Sequence, residues 1–287
     1  MKKSRVGTKL LPRKRGPANS PPGKPKPLPL VERTNALSLE EFVHQYIPSS
    51  ELKFQRAGRI NRDSATSTAS TTRWEGEPED DHSEPKDLPE PQKETEASTY
   101  TYTLDIYTAS TIPTPDLNAA FNLIELTSSA AYKNSSMGWS PTEKRKEMKL
   151  PDMKYMILRR TGFDENVGDG GDSDGENSSP AGEFAGFLEF MVTYEDGYEV
   201  LYCYEIHLTP EAQGQGLGEE LMARFERVGA RIGLEKAMLT VFRSNRRAIT
   251  FYERVGYTED ESSPRPRKLR NGTVKEADYR IMSKSLR

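Results

Sequence analysis

The chain has 287 residues, of which 34% are hydrophobic and 30% charged, with 20 prolines and 21 glycines. This hydrophobic content is too low for a chain folded throughout, and it predicts one compact domain with disordered segments around it. The net charge of −3 is unevenly spread, because residues 1–33 carry ten Lys/Arg against one acid and residues 74–96 carry ten acids against two lysines. A single cysteine excludes an intramolecular disulfide framework.

No signal peptide, long apolar run or lipidation signature is visible in the sequence. We therefore expect a soluble intracellular protein without a membrane partner. The expected locations are cytoplasm and nucleus, and the Arg13-Lys14-Arg15 cluster is either a nuclear localisation signal or a solvated basic tail.

Three segments precede the predicted domain. Residues 1–34 are basic and Pro-rich and are predicted to be disordered. Residues 35–60 are predicted to hold a short helix that packs on the domain, because Ser38-Leu39-Glu40-Glu41 is a capping box followed by apolar residues at helical spacing. Residues 61–98 are Ser/Thr-rich and then acidic, which predicts a linker.

The domain is predicted over residues 99–287, with a disordered acidic insertion at 162–180. That insertion resembles a calcium loop only superficially, since Asn177 stands where the glycine is required, and we predict no metal site. Strands and helices interleave along the rest, which predicts an α/β class with a mixed, mostly antiparallel sheet flanked by helices. Strands are predicted at 100–107, 154–160, 184–194, 199–208, 236–242, near 257 and at 279–284, and helices at 115–132, from 140, at 216–232 and at 245–255.

The stretch from Leu201 to Glu220 carries the strongest functional signal. Its strand half is apolar and aromatic except for Glu205, a carboxylate in a run that otherwise reads as buried on both faces. The strand is followed by Gln213-Gly214-Gln215-Gly216-Leu217-Gly218, just where a helix begins. Because helix N-termini offer free N–H groups and a partial positive charge, this loop predicts a phosphate site.

The glycine loop resembles the acetyl-CoA pyrophosphate loop of the Gcn5-related N-acetyltransferase (GNAT) family. Asn245 and the following Ala248-x-x-Phe251-Tyr252-x-x-x-Gly256-Tyr257 pattern match the second half of that family in order and spacing. The resemblance implies the GNAT fold and acetyl-CoA as co-substrate. Within the family, the segments LYCYEIHL, KAMLTVFRSN and DESSP are similar to the histone-specific N-alpha-acetyltransferases, N-terminal acetyltransferase D.

Glu205 is the best candidate for a general base. A free α-amine has a pKa near 7.7–8.0, so a modest base suffices, and a carboxylate whose pKa is raised by partial burial would serve. The resemblance implies that Glu205 is required for catalysis with Tyr204 beside it. His207 shares the face of Glu205 but is expected only to line the cofactor with its backbone. Cys203 is interpreted as a buried structural thiol rather than an acyl carrier.

The resemblance also assigns the binding residues. Backbone groups at the end of the strand before the glycine loop and in the loop itself are expected to hold the cofactor, together with the side chains of Thr240 and Asn245. Asn245 can also act as the N-cap of the following helix, and the two roles are compatible. The expected cofactor-binding residues are Ile206, His207, Leu208, Gly214, Gln215, Gly216, Leu217, Gly218, Glu219, Thr240 and Asn245. The expected substrate-binding residues are Tyr132, Thr193, Glu195, Tyr202, Tyr204, Ser262 and Tyr279, for several of which core packing is the alternative.

Two positions depart from the resembled enzymes, which carry an acidic residue where this chain has Thr193 and a tryptophan where it has Met137. The expected function is acetyl transfer to the N-terminal serine of core histones beginning Ser-Gly-Arg-Gly. The alternatives are an acetyltransferase of the same fold acting on lysine or small amines, and a histone-binding protein without turnover. We expect histone tails as partners, a monomer, and no direct nucleic-acid binding, and leave association with ribosomes open.

Overall fold

The computed structural model describes residues 27–57, 99–163 and 182–287. Most of the predicted basic tail, the acidic linker and the acidic insertion lie outside these ranges. None of the helices within them is long and apolar enough to cross a membrane.

The described elements follow the predicted interleaving of strands and helices. The helices are α1 (Leu30–Asn35), α2 (Leu39–Tyr46), α3 (Thr114–Lys133), α4 (Pro141–Glu147), α5 (Leu217–Ile232) and α6 (Arg246–Arg254). The strands are β1 (Lys53–Ala57), β2 (Thr99–Thr108), β3 (Lys154–Phe163), β4 (Glu183–Glu195), β5 (Tyr198–Leu208), β6 (Lys236–Phe242), β7 (Thr258–Glu259), β8 (Arg267–Lys268), β9 (Val274–Lys275) and β10 (Tyr279–Ser285).

Helix ends lie where the local chemistry places them. Ser38 caps α2 in a complete capping box, and Ser140 caps α4 by accepting from the N–H of Glu143. Gly233 ends α5 in the left-handed conformation at φ 92°. These boundaries depend on neighbouring residues alone, and the sequence therefore predicted them well.

Eight of the strands form one mixed sheet in the order β1-β2-β3-β4-β5-β6-β10-β7. The β5–β6 pair is parallel and the other neighbours are antiparallel, so the β5-α5-β6 segment is the crossover unit of the fold. This confirms the predicted α/β class with a mixed, mostly antiparallel sheet flanked by helices.

The N-terminal segment is more structured than the sequence indicated. Helix α1 occupies residues assigned to the end of the basic tail, and the side chain of Asn35 donates to the carbonyl of Val192 at 2.9 Å. Strand β1 was not predicted, and it extends the sheet beside β2. A segment of five residues is too short to show a clear alternation of apolar and polar side chains. The hydrogen bonds that make β1 a strand come from β2, whose residues lie more than 40 positions later in the chain.

Helices cover both faces of the sheet over two apolar cores. One core joins the sheet to α2 and α5 through Phe42, Phe190 and Phe225. The other joins it to α3 and the end of α4 through Phe121, Ile124 and Met148. The functional residues described below lie mainly on the second face.

The parallel strands β5 and β6 separate at their carboxyl ends. Their pairing runs only from Val200↔Lys236 to Cys203↔Leu239, although β5 continues to Leu208 and β6 to Phe242. Beyond this point each strand leaves an edge facing the other. Ligands bind at such openings outside the carboxyl ends of parallel strands.

Candidate active site

Glu205 lies on β5 immediately past the point where β5 and β6 separate. A β-bulge sits here: Glu205 opposes Glu189 and Cys203 opposes Phe190, so Tyr204 is the additional residue. In a regular strand Tyr204 and Glu205 would face opposite sides of the sheet. The bulge instead lets Tyr204 pack in the α3–α4 core while Glu205 bonds to residues of the same two helices.

Three donors surround the Glu205 carboxylate, which is only 8% exposed. Its Oε1 accepts from the Lys144 ammonium at 2.9 Å and from the Tyr132 hydroxyl at 3.0 Å. Its Oε2 lies 2.7 Å from Nε2 of His207. A carboxylate has about four acceptor positions. One position on Oε2 therefore remains for a further donor.

The pKa of Glu205 is lower than the sequence argument assumed. Burial acts to raise it, but the hydrogen bond from His207 and the charge of Lys144 prevail and hold the pKa at about 2. Glu205 is thus ionised across the physiological range. The expectation of a carboxylate with a raised pKa is corrected: the group is always available as an acceptor, but it is a weak proton store.

Lys144 is the residue that the sequence analysis missed. Its ammonium, 6% exposed, donates to Glu205, to the Tyr132 hydroxyl at 2.9 Å and to Glu147 at 2.5 Å, which uses all three of its protons. Burial acts to lower its pKa, yet the negative charge of Glu205 raises it overall. One signal was present: Lys144 lies one helical turn before the buried Met148 and so shares its face.

Tyr132, predicted as a substrate residue, contacts both Glu205 and Lys144. Its hydroxyl accepts from Lys144 and donates to Glu205, and its ring contacts Phe242 edge-on at 4.9 Å and Trp139 at 5.5 Å. Burial and the nearby Glu205 charge raise the pKa of Tyr132. The phenol therefore stays protonated and bridges the end of α3 to β5 and β6.

His207 contributes more than the backbone lining predicted for it. Its ring stacks on Phe187 at 5.6 Å and connects Glu205 to the Thr127 hydroxyl, which is 2.7 Å from Nδ1. The side chain is 10% exposed. The imidazole is thus a direct partner of the candidate base.

Glu189 is a second buried carboxyl that the sequence analysis passed over. It stands opposite Glu205 on β4 and is fully buried, and its Oε2 has no partner among the described residues. The Tyr155 hydroxyl donates to the carbonyl of Met148 and also lies within donating distance of Oε1 of Glu189, at 3.3 Å. Burial and the charge of Glu205 both raise the pKa of Glu189 well above its ordinary value.

Replacing Glu189 by glutamine is expected to stabilise the protein at neutral pH. Because the folded-state pKa is raised, the acid loses stability as pH rises above about 4.5, whereas an amide reproduces the protonated acid without titrating. Melting curves of Glu189→Gln should lie a few degrees above wild type at pH 7, on a scale of ~2–4 °C per kcal/mol. The difference should vanish near pH 4.5; an equal or lower melting temperature at pH 7 would show that Glu189 is ionised.

Cys203 is a buried thiol, as interpreted from the sequence. It is 4% exposed, and burial raises its pKa well above the ordinary value. Because the thiolate is the nucleophile, this residue is unsuited to carry an acyl group.

The glycine loop leads from β5 into α5 as predicted. Gly214 and Gly216 adopt φ values of 75° and 76°, a region that favours glycine. A Cβ built at Gly214 would meet nothing within 4 Å, and no side chain of the described residues caps α5 at Gly216. The first N–H groups of a helix have no intrahelical acceptor, so the loop and helix start fit a diphosphate.

Side chains around the loop fix its backbone. Gln215 accepts from the buried Tyr102 hydroxyl at 3.0 Å and donates to the carbonyl of Glu211 at 2.6 Å. Leu217 is fully buried, and Gly218 lies so close to Phe251 that a Cβ would approach that ring to 3.3 Å. Glu219 pairs with Arg254 at 2.7 Å. These residues can contribute backbone to a cofactor, as expected for them.

The open edge of β5 holds the other predicted cofactor residues. Ile206 and Leu208 pack on the α5 core, while the strand edge past Cys203 lacks a β6 partner. An extended pantetheine arm would fit there as an added strand. Thr240 lies across the opening with its hydroxyl 2.6 Å from that of Tyr202. Asn245 caps α6 by accepting from the N–H of Ala248 at 3.1 Å, the alternative foreseen for it.

Aromatic residues and a carboxylate line the same face as Tyr132. The rings of Tyr202 and Tyr204 are 5.4 Å apart, and burial raises the pKa of Tyr202 to about 12. Glu195 is half-buried at the end of β4, and burial together with Asp196 raises its pKa. The charge of Glu195 also acts to raise the pKa of both tyrosines, so Glu195 lies near them.

The remaining predicted substrate residues lie at the margins of this face. Tyr279 starts β10 opposite Phe242, whose ring touches Tyr132. Ser262 bonds instead within its own loop, through both its N–H and its hydroxyl to Asp260 at 2.9 and 2.6 Å. Thr193 is half-buried and pairs with Val200, and Met137 is 61% exposed.

The model of the Acetyltransferase (GNAT) family matches residues 163–257, which include β5, the glycine loop, α5, β6 and α6. This segment is therefore similar to the GNAT family, and the chain has the GNAT fold. Acetyl-CoA, predicted as co-substrate, is consistent with the family and with the loop and strand edge described above.

Solved structures similar to this chain are N-acetyltransferases at low identity. The ribosomal-protein-S18-alanine N-acetyltransferase from Escherichia coli is 20% identical, with 64% of this chain and 94% of that chain covered and a TM-score of 0.37. The spermidine N-acetyltransferase from Vibrio cholerae, in complex with CoA and spermine, is 17% identical, with 64% and 95% covered and a TM-score of 0.40. Likenesses at this level do not identify the acceptor.

Proposed function

We propose that this domain transfers the acetyl group of acetyl-CoA to the α-amine of a protein N-terminus, and that its substrates are core histones beginning Ser-Gly-Arg-Gly. One observation carries the choice of amine: Glu205, just past the point where β5 and β6 separate, is ionised and buried and keeps one free acceptor position on Oε2. A donor entering there meets a fixed carboxylate.

The low pKa of Glu205 favours an α-amine over a lysine side chain. An α-amine with a pKa near 7.7–8.0 is partly neutral at pH 7, while a lysine amine with a pKa near 10.4 is almost wholly charged. A carboxylate whose pKa is held at about 2 is a weak proton acceptor. It can position an amine that has lost its proton far more readily than it can deprotonate lysine.

The protein residues orient the reactants, and acetyl-CoA supplies the thioester carbonyl when bound. Glu205 accepts from the amine at Oε2, while Lys144 and Tyr132 hold Oε1 in place. The glycine loop and the free edge of β5 bind the cofactor through backbone groups. We assign the peptide to the surface beside Tyr202 and Tyr204, whose rings are 5.4 Å apart, where the carboxylate of Glu195 would pair with a basic residue near the start of the peptide.

The choice of serine and of histones rests on the resemblance of LYCYEIHL, KAMLTVFRSN and DESSP to the histone-specific enzymes. Thr193 and Met137 remove a carboxylate and an indole that those enzymes place in the substrate groove. We therefore expect weaker discrimination against other N-termini than in the resembled enzymes.

A labelled-peptide assay tests the proposal. The protein, acetyl-CoA and a Ser-Gly-Arg-Gly-Lys peptide should give a product whose acetyl group fragmentation mass spectrometry places on the serine amine. The matched control is the same peptide with a formylated N-terminus, which keeps its lysine and should stay unlabelled.

Three outcomes contradict the proposal in different ways. Acetylation of lysine in both peptides would indicate the lysine alternative. Tight peptide binding without any product would indicate a binding protein. Faster acetylation of polyamines than of the peptide would indicate a small-amine acetyltransferase.

A further inference from the structure

His207 connects the buried Glu205 to the protein surface. Its Nε2 lies 2.7 Å from Oε2 of Glu205, and its Nδ1 lies 2.7 Å from the hydroxyl of Thr127. Thr127 is an exposed residue of α3. The Glu205–His207–Thr127 chain is therefore continuous from the oxygen that keeps a free acceptor position to solvent.

The proton positions in the Glu205–His207–Thr127 hydrogen-bond series indicate which ring nitrogens of His207 donate. The Thr127 hydroxyl has one proton, and it is directed to the carbonyl of Leu123 at 2.7 Å. The contact with Nδ1 is then a hydrogen bond only if the ring donates from Nδ1. The 2.7 Å contact with the ionised Glu205 is a hydrogen bond only if the ring also donates from Nε2. Every contact is satisfied when the ring carries both protons, so the observed geometry is that of the ring after it has taken up a proton, as imidazolium.

We propose that His207 is the proton-holding residue of this site, which receives the proton of the substrate amine through Glu205 and returns it to solvent at Thr127. His207 acts through Glu205 and is in that sense a positioning residue. Histidine suits the task because its ordinary titration lies near neutral pH. Glu205 has no capacity to store a proton there. This inference rests on the proposed function.

The transfer conserves atoms and charge. Before it, the ring is neutral with its proton on Nδ1. One N–H bond of the substrate ammonium breaks, its proton passes along Oε2 of Glu205, and an N–H bond forms at Nε2. The amine keeps the electron pair with which it attacks, and Glu205 stays a carboxylate. The imidazolium loses its Nδ1 proton to water beside Thr127, after which loss of the Nε2 proton to water and uptake of one from water at Nδ1 restore the first tautomer.

The groups facing the ring come from three elements. Phe187 of β4 stacks on it, Thr127 of α3 accepts from it, and Glu205 of β5 faces Nε2. The charged or titratable groups next to Glu205 are Lys144 and Glu147 of α4, Glu189 of β4 and Tyr132 of α3.

The test is the pH dependence of His207→Gln, whose amide can still donate to Glu205 but cannot store a proton. At pH 6.5 its kcat/KM for the serine peptide should fall by about 10²-fold, the lower range for general-base catalysis. The deficit should shrink towards pH 9, because an amine with a pKa of about 7.7–8.0 is neutral there without help. Thr127→Val should show a smaller deficit of the same pH dependence.

A deficit that is constant from pH 6.5 to 9 would assign His207 a structural role and overturn the inference. The matched control is His44→Gln, which changes an exposed histidine of α2 and should leave the profile unchanged.

A second measurement does not depend on turnover. Nitrogen-15 spectra of the imidazole in the protein alone should show His207 in two states, a neutral ring protonated on Nδ1 and an imidazolium protonated on both nitrogens. A single neutral tautomer throughout would refute the inference even if the peptide is acetylated. If the wild type does not acetylate the peptide, the proposed function fails while the ring protonation remains measurable.

Discussion

Replacing Lys144 by methionine is expected to lower the free energy of unfolding by about 3 kcal/mol at pH 7. The substitution keeps the length of the side chain but leaves Glu205 buried without its cation. Removing one partner of a buried pair costs about 3–5 kcal/mol, and the lower end applies because Tyr132 and His207 still donate to Glu205. Urea denaturation curves of the two proteins measure the difference.

The same helix offers a matched control. Lys146 pairs with Glu143 at 2.8 Å, but both side chains are about two-thirds exposed at 67% and 68%. Surface pairs of this kind contribute about 0–1 kcal/mol. Lys146→Met should therefore lie within 1 kcal/mol of wild type, and equal losses in the two variants would show that the Lys144–Glu205 contact does not stabilise the fold.

The loss in Lys144→Met should also depend on pH. The folded-state pKa of Glu205 is lowered from 4.5 to about 2, so the contribution of the pair is present above pH 4.5 and is lost as pH falls towards 2. The pKa of Lys144 is raised, so the pair persists well above neutral pH. A deficit that is constant between pH 7 and 5 and then shrinks is the expected result.

Adding Glu205→Gln to Lys144→Met separates the pair from its surroundings. The double variant contains neither charge, so it should lose less stability than the two single variants together. Strict additivity would mean that the two side chains do not interact.

The sequence predicted the parts of the fold that depend on near neighbours. Capping residues fixed the starts of α2, α4 and α6, and the Glu195-Asp196-Gly197 turn correctly predicted the β4–β5 hairpin. Strand β1 was not predicted, because its partner strand β2 lies beyond a long intervening segment. Local propensity is informative where the stabilising contact is itself local.

The candidate site divides in the same way. Glu205 and the glycine loop were recognisable, because a carboxylate in an apolar strand and glycines before a helix are local signals. Lys144 was not, because its partner is 61 residues further along the chain. The low pKa of Glu205 follows from the hydrogen bond of His207 and from that distant ammonium. Burial considered alone predicts a raised pKa, which is the opposite of the shift found.

Glu189 shows that a carboxylate in an apolar strand does not by itself identify the ionised residue of the site. It also interrupts an apolar strand, yet its pKa is raised while that of Glu205 is lowered, and the two stand opposite each other. Their difference comes from the donors: Lys144, Tyr132 and His207 all reach Glu205, whereas Tyr155 gives its proton to Met148. Only the packing of α3 and α4 on the sheet decides which carboxyl is charged.

Glu205→Gln is expected to lower turnover by about 10²–10⁴-fold, the usual loss when a residue that takes part in proton transfer is removed. The fold should tolerate the change, because the amide oxygen can accept from Lys144 and Tyr132 while the amide nitrogen can donate to a neutral His207. Steady-state kinetics with the serine peptide measure the loss.

Cofactor affinity distinguishes catalysis from support of the fold. The glycine loop and the β5 edge present backbone groups, so calorimetric binding of CoA to Glu205→Gln should stay within a few-fold of wild type. Glu189→Gln is the matched control on the facing strand: burial raises the pKa of this carboxyl and so favours its neutral form, and turnover of the variant should be nearly unchanged. If CoA affinity collapses together with turnover in Glu205→Gln, then Glu205 shapes the site and does not act on the amine.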